Sequence, residues 1–94
     1  MGLAPDGGLF IPKEIKTYTP TEIKELSNMS YVDLATEIIS FFCENDISKG
    51  ELKRLIEKSY NSFLIENVVS VKTFGKLNFL ELYHGPTLAF KDIA

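Results

Sequence analysis

The hydrophobic period of this chain changes once, at Val68, and that change limits what it can fold into. From Thr19 to Phe63 apolar residues recur at helical spacing. From Val68 to Tyr83 the chain is rich in β-branched residues and partly alternating. Side chains repeat every ~3.6 residues on a helix and every ~2 on a strand, so one pattern does not substitute for the other. The expected order is a loop, two or three helices, a β-hairpin and a strand exit. The fold class is α+β, mostly helical, with the hairpin at the C-terminal end.

The helix starts carry polar signatures. In Thr19-Pro20-Thr21-Glu22, Thr19 caps, Pro20 suits the first helical position and Glu22 reaches back as in a capping box. This helix is expected to end near Leu26-Ser27-Asn28. Ser30 starts a second, with Asp33 three residues on. Val32, Ala35, Ile39, Phe42 and Cys43 follow one face, and Leu34, Ile38 and Phe41 lie on another. A helix so widely apolar is expected to be central and covered by several partners. Ser48-Lys49-Gly50-Glu51 is another capping-box pattern. Leu52, Leu55, Ile56, Tyr60 and Phe63 then form one apolar stripe, with Lys53, Arg54, Glu57 and Lys58 on the wet face.

Val68–Phe74 and Leu77–Tyr83 are strand candidates, and Gly75-Lys76 is their turn. Near the N-terminus, residues 2–12 hold three glycines and two prolines. Asp6-Gly7-Gly8 is a turn signal, and Leu9-Phe10-Ile11 is expected to pin the N-terminus to the core. The same glycines would also let backbone approach a ligand.

A net charge of −3 with no basic arm argues against nucleic acid as a partner. No apolar run approaches the ~18 residues of a membrane span, and the first residues lack the pattern of a signal peptide. Cys43 is the single cysteine, so no internal disulfide forms; its apolar setting reads as a small buried hydrophobe. There is no Cys/His cluster for a metal. A reducing cytoplasm is the expected location. Ninety-four residues bury only about 60–65% of their unfolded surface, so a domain of this size is marginal alone.

The last stretch carries the chemistry. Lys91 sits between Phe90 and Asp92, just past the second strand. A free lysine amine titrates near ~10.4 and is protonated; apolar surroundings lower that value, and an unprotonated amine forms a Schiff base with an aldehyde. Leu88, Ala89 and Phe90 are candidates for such surroundings. Asp92 would favour the charged amine if it faced Lys91, and would cap backbone amides if it stood at a helix start. Otherwise Lys91 is an exposed lysine on a helix start.

His84-Gly85-Pro86-Thr87-Leu88-Ala89-Phe90-Lys91-Asp92 resembles the pyridoxal-phosphate lysine motif of the threonine synthases. Gly2-Leu3-Ala4-Pro5-Asp6-Gly7-Gly8-Leu9-Phe10-Ile11-Pro12 resembles that family's early segment. Two motifs in order, with helices and a hairpin between them, extend the resemblance over essentially the whole chain. The resemblance implies a fold-type-II pyridoxal-phosphate enzyme whose cofactor lies in an α/β domain. It implies conversion of O-phospho-L-homoserine and water to L-threonine and phosphate. Lys91 would hold pyridoxal phosphate covalently and, once freed, act as a general base. Phe90 would pack near the cofactor ring or simply in the core. Thr87 and His84 would line the substrate or cofactor pocket, Thr87 as a hydrogen-bond donor to a carboxylate or phosphate; for His84 a structural hydrogen bond at the strand end is the other role. Gly85 and Pro86 would shape the turn. Residues 1–75 would form the N-terminal domain and 76–94 the start of the cofactor domain.

The match has gaps. The family's residues ahead of the Gly-Leu-Ala-Pro segment have no counterpart beyond Met1, and residues 13–94 hold no glycine-rich phosphate loop. The chain therefore reads as an N-terminal fragment that does not catalyse alone, with the rest of its catalytic domain as its partner. A related phospho-lyase acting on another phosphorylated amino acid shares the lysine motif. A short, non-catalytic protein-binding module is the reading from a different class.

Overall fold

The computed structural model describes residues 3–43 and 45–93. Gly2, the first residue of the early motif, lies outside them. The elements are α1 (Pro20–Leu26), α2 (Tyr31–Cys43), α3 (Lys49–Tyr60), β1 (Ser70–Phe74), β2 (Leu77–Glu81) and a 3-10 turn over Phe90–Ile93. Three α-helices followed by a two-stranded antiparallel sheet bear out the α+β expectation.

Each helix begins where its polar residues direct. Thr19 accepts from the Glu22 amide, and the Glu22 carboxylate accepts from the Thr19 amide at 2.7 Å, completing the capping box. At α2, Ser30 Oγ accepts from the Asp33 amide at 3.1 Å and donates to its carboxylate at 2.7 Å. At α3, Ser48 accepts from the Glu51 amide at 3.3 Å, which is one half of the box. These bonds satisfy amides that have no partner in a first helical turn.

The core lies where α2 and α3 pack, and it is small. Leu52, Ile56 and Val68 are the buried apolar side chains among the described residues. Thr36, also buried, donates its hydroxyl to the Val32 carbonyl at 2.7 Å. Leu55, expected in the α3 stripe, is exposed. An edge-on aromatic chain of Tyr31, Tyr60 and Phe63 closes one end of the helix pair, with centroids 5.0 and 5.2 Å apart. Burial there pushes the Tyr31 phenol up to about 12.

Other packing expectations fail as well. The second helix is not covered on several sides: Ile38, Ile39 and Phe42 are exposed, because α3 is its one extensive helical neighbour among the described residues. Leu9, Phe10 and Ile11 do not anchor the N-terminus; Ile11 is 83% exposed. The turn before them does form. Gly7 adopts φ +83°, its amide donates to the Ala4 carbonyl, and the Gly8 amide donates to Asp6 Oδ1 at 2.9 Å. Cys43 is only half-buried, its thiol directed at the Ile39 carbonyl.

The hairpin pairs Ser70 with Glu81 through to Phe74 with Leu77. Gly75 takes φ +61° at the first of the two turn positions, the placement that a type II′ turn gives to glycine. The boundary expected between residues 75 and 76 falls inside this turn, between paired strands. β1 starts later than expected, because Val68 turns to φ +62° and is buried instead of extending the ladder. A β-branched residue rarely adopts that conformation.

Candidate functional site

The segment from His84 to Ile93 leaves β2 and is tied at both ends to the helical half. The Leu64 amide donates to the His84 carbonyl at 2.8 Å, and the Tyr60 hydroxyl donates to the Ile93 carbonyl at 2.7 Å. Between these anchors the chain makes a tight reversal. The Leu88 amide donates to the Gly85 carbonyl at 3.1 Å, and Leu88 itself sits at φ +59°. A left-handed conformation costs a non-glycine residue roughly 1–2 kcal/mol, so other contacts hold the turn there.

Asp92 supplies them. Its carboxylate accepts from the Thr87 amide at 2.8 Å and from the Thr87 hydroxyl at 2.6 Å. Its own amide donates to the Ala89 carbonyl at 3.1 Å. The Thr87 hydroxyl, then the backbone bonds, hold the Asp92 carboxyl below its ordinary value. Gly85 is buried directly beneath: a Cβ there would overlap Asp92 Cβ and Oδ2. Of the two orientations open to Asp92, the structure shows the one in which it caps a backbone amide, five residues back.

Lys91 follows this reversal on the 3-10 turn and is exposed. Among the described residues no ion pair engages it. Phe90 and Leu88, its apolar neighbours, are also exposed, at 66% and 63%. The structure thus brings Lys91, Phe90 and Thr87 onto one short turn.

His84 stands at the base of that turn, in a second cluster. Its Nε2 lies 3.0 Å from Glu81 Oε2 and 3.4 Å from Ser70 Oγ, and its ring is 4.7 Å from that of Tyr83. Glu81 also accepts from the Ser70 hydroxyl and, at 2.8 Å, from Tyr83. These bonds, from Ser70 first, then Tyr83 and His84, hold the Glu81 carboxyl down at about 2. Sequence reasoning missed Glu81 and Tyr60. The first had a signal, since Glu81 precedes His84 by three residues at a strand end. Tyr60 had none, because its partner is Ile93, thirty-three residues away. A cavity of about 590 Å³ between α2 and α3 is lined by Asp33, Glu37, Lys49 and Lys53 among others, and by no residue of the 84–93 segment.

Comparison with known proteins agrees with this architecture. A family profile described as "Threonine synthase N terminus" matches residues 1–60. Threonine synthase from Schizosaccharomyces pombe is 43% identical over 99% of this chain, which spans 18% of that relative. Threonine synthase-like 2 from Xenopus laevis is 37% identical over 99% of the chain and 20% of its own length. The crystal structure of PLP-bound threonine synthase from Brucella melitensis superposes with a TM-score of 0.91 at 36% identity, covering 98% of this chain and 20% of that one. The chain spans about a fifth of the length of the relatives it matches. With the profile covering well over half of its residues, the chain belongs to the threonine synthase family, and corresponds to the N-terminal portion of those enzymes.

Proposed function

We propose that this chain is the amino-terminal part of a pyridoxal-phosphate-dependent threonine synthase in which Lys91 carries the cofactor. The observation behind this reading is the Lys91 turn. It offers an exposed primary amine with no described ion pair, and its acidic neighbour is engaged by Thr87. A lysine that is to bind an aldehyde needs an amine not held charged by a carboxylate. The donor set therefore fits the group. Residues 13–94 hold no cradle of glycine amides for a cofactor phosphate, so that part of the site belongs to the rest of the protein.

When bound, pyridoxal phosphate supplies the electron sink for carbanion chemistry. The residues of this chain do the rest of what falls to them. Lys91 Nζ holds the cofactor and, when free, takes and returns protons on the substrate as a general base. Phe90, itself 66% exposed, offers an apolar face for the rest of the protein to cover. Thr87 has its hydroxyl proton on Asp92, so it meets a substrate only through its remaining lone pairs. His84 has Nε2 on Glu81 and offers Nδ1. The substrate is O-phospho-L-homoserine, and with water it gives L-threonine and phosphate.

The partner of this segment is the remainder of its own catalytic domain, an α/β unit of fold type II. The exposed apolar side chains Phe42, Phe74, Phe79 and Leu80 are surface for it to cover. The 94 residues alone do not turn substrate over. Its location is cytoplasmic. No described helix is long and apolar enough to cross a membrane.

A second reading has support in the match to threonine synthase-like 2. In that reading the same lysine turn would serve a phospho-lyase acting on another O-phosphorylated amino acid. One experiment separates the two: borohydride reduction of the full-length protein with mapping of the pyridoxyl group, followed by assay with phosphohomoserine. A label on Lys91 with release of threonine and phosphate is the expected result. A label on Lys91 without threonine moves the assignment to the second reading. A label elsewhere, or none, removes both.

A further inference from the structure

We infer that Asp92 and Thr87 are positioning residues for the Lys91 amine. The Asp92 carboxylate, held by both the amide and the hydroxyl of Thr87, fixes the turn that presents Lys91 and keeps its own charge off that amine. The inference rests on Lys91 carrying the cofactor, as proposed above.

Three observations converge on it. The clasp is two-pronged and short, with bonds of 2.8 and 2.6 Å, and such charge-assisted bonds are directional. It closes over a buried glycine where a methyl group would overlap Asp92, so the carboxylate sits there because residue 85 has no side chain. It spans Leu88, whose φ of +59° would relax without a restraint. The ends of the segment need none of this. His84 and Ile93 are tied separately by Leu64 and Tyr60. Loss of the clasp therefore loosens the stretch between the anchors, which includes Lys91, and leaves the anchors in place.

The clasp also sets the charge beside the amine. Asp92 is next to Lys91 in sequence, yet the two make no ion pair among the described contacts. Released from Thr87, that carboxylate becomes free to pair with the ammonium and favour the protonated form, which is not nucleophilic. Thr87 thus acts through Asp92 on Lys91.

The test uses the full-length protein and the variants Thr87→Val, Thr87→Ser and Asp92→Ala. Apo-protein is titrated with pyridoxal phosphate, and kcat and KM are measured separately on the loaded enzyme. Thr87→Val keeps the shape and the amide bond but loses the hydroxyl. It should weaken cofactor affinity about tenfold and lower kcat more than it changes KM, as loss of one charge-assisted bond implies. Thr87→Ser should hold cofactor affinity within about twofold of the parent, because its hydroxyl survives. Asp92→Ala, losing both bonds, should exceed Thr87→Val; if it does not fold, Thr87→Val alone decides. Parental affinity and kcat in Thr87→Val, or a Thr87→Ser as weak as Thr87→Val, would overturn the inference. Failure of the underlying reading looks different: borohydride then leaves no pyridoxyl group on Lys91 in the unmodified parent.

Discussion

In the helical half, acidic side chains pair with lysines at the surface: Asp33 with Lys53 at 2.7 Å, and Glu37 with Lys49 and, at 3.5 Å, Lys16. At the end of β2 and beyond it, Glu81 and Asp92 make no lysine pair among the described residues and gather other donors instead. Glu81 takes Ser70, Tyr83 and His84; Asp92 takes Thr87 twice. The carboxyls of all four are held below their ordinary values. The same direction of shift comes from two kinds of environment. A lysine pair on a long exposed stem tolerates many geometries and is screened by salt. A carboxylate shared among short, directional donors has few geometries. The region with the smaller hydrophobic core is thus the one with the more closely specified backbone, and it carries the lysine.

The sharpest way to break this comparison is to remove the amine that the second region presents. Lys91→Ala in the full-length protein should cost at least ~10³-fold in kcat, of the order lost with a general base alone, while melting as the parent does. Steady-state assay and a thermal melt check both halves of that statement. Next comes Gly85→Ala. The added methyl meets Asp92, and overpacking of this kind costs roughly 1–3 kcal/mol, read by denaturant unfolding. The same substitution should push Asp92 off Thr87, so cofactor affinity should fall alongside stability.

Much of the helical half is legible in the sequence because its determinants are local. Thr19 and Glu22, Ser30 and Asp33, Ser48 and Glu51 sit three residues apart, and each pair caps the helix that its spacing predicts. The hairpin is legible for the same reason, through Gly75. The Lys91 turn is legible as chemistry but not as geometry. Asp92 as an amide cap is within reach of sequence reasoning. Its reach back to Thr87 depends on Leu88 taking a left-handed φ, and nothing about leucine signals that. Tertiary expectations fare worst. Leu9, Phe10 and Ile11 are apolar, and α2 is apolar around much of its girth, but burial needs a partner that periodicity does not name. Val68 shows the converse: its β-branched pattern predicts strand, and burial at φ +62° prevails over propensity.

Acid separates the two regions by a smaller effect. Glu81 is held at about 2 against an ordinary 4.5. A depressed carboxyl contributes stability that is complete above its unfolded value and is lost as pH falls through its folded value. The Glu81 contribution should therefore be full above about pH 4.5 and disappear toward about pH 2. Melts of Glu81→Gln and parent should differ most near neutrality and converge in acid. A constant offset between the two curves would mean that the charge of Glu81 is not what the cluster uses. Smaller again is Ser48→Ala, which removes the α3 cap for about 1 kcal/mol and should leave cofactor affinity untouched.

The smallest expected effect discriminates best. Asp33 and Asp92 both have lowered carboxyls, the first chiefly through Lys53 and then Ser30, the second chiefly through the Thr87 hydroxyl. If a lowered value by itself marked an organised site, Lys53→Met and Thr87→Val would behave alike. They should not. Lys53 is exposed, its pair with Asp33 is solvent-screened, and Ser30 still holds the Asp33 carboxylate when the lysine is gone. Lys53→Met should shift the melt barely at all and leave cofactor affinity at the parental value, measured in the same titration that detects Thr87→Val. A loss of affinity in Lys53→Met equal to that in Thr87→Val would show that charge anywhere on the domain reaches Lys91. The division between screened pairs and directional clasps would then collapse into a single long-range field.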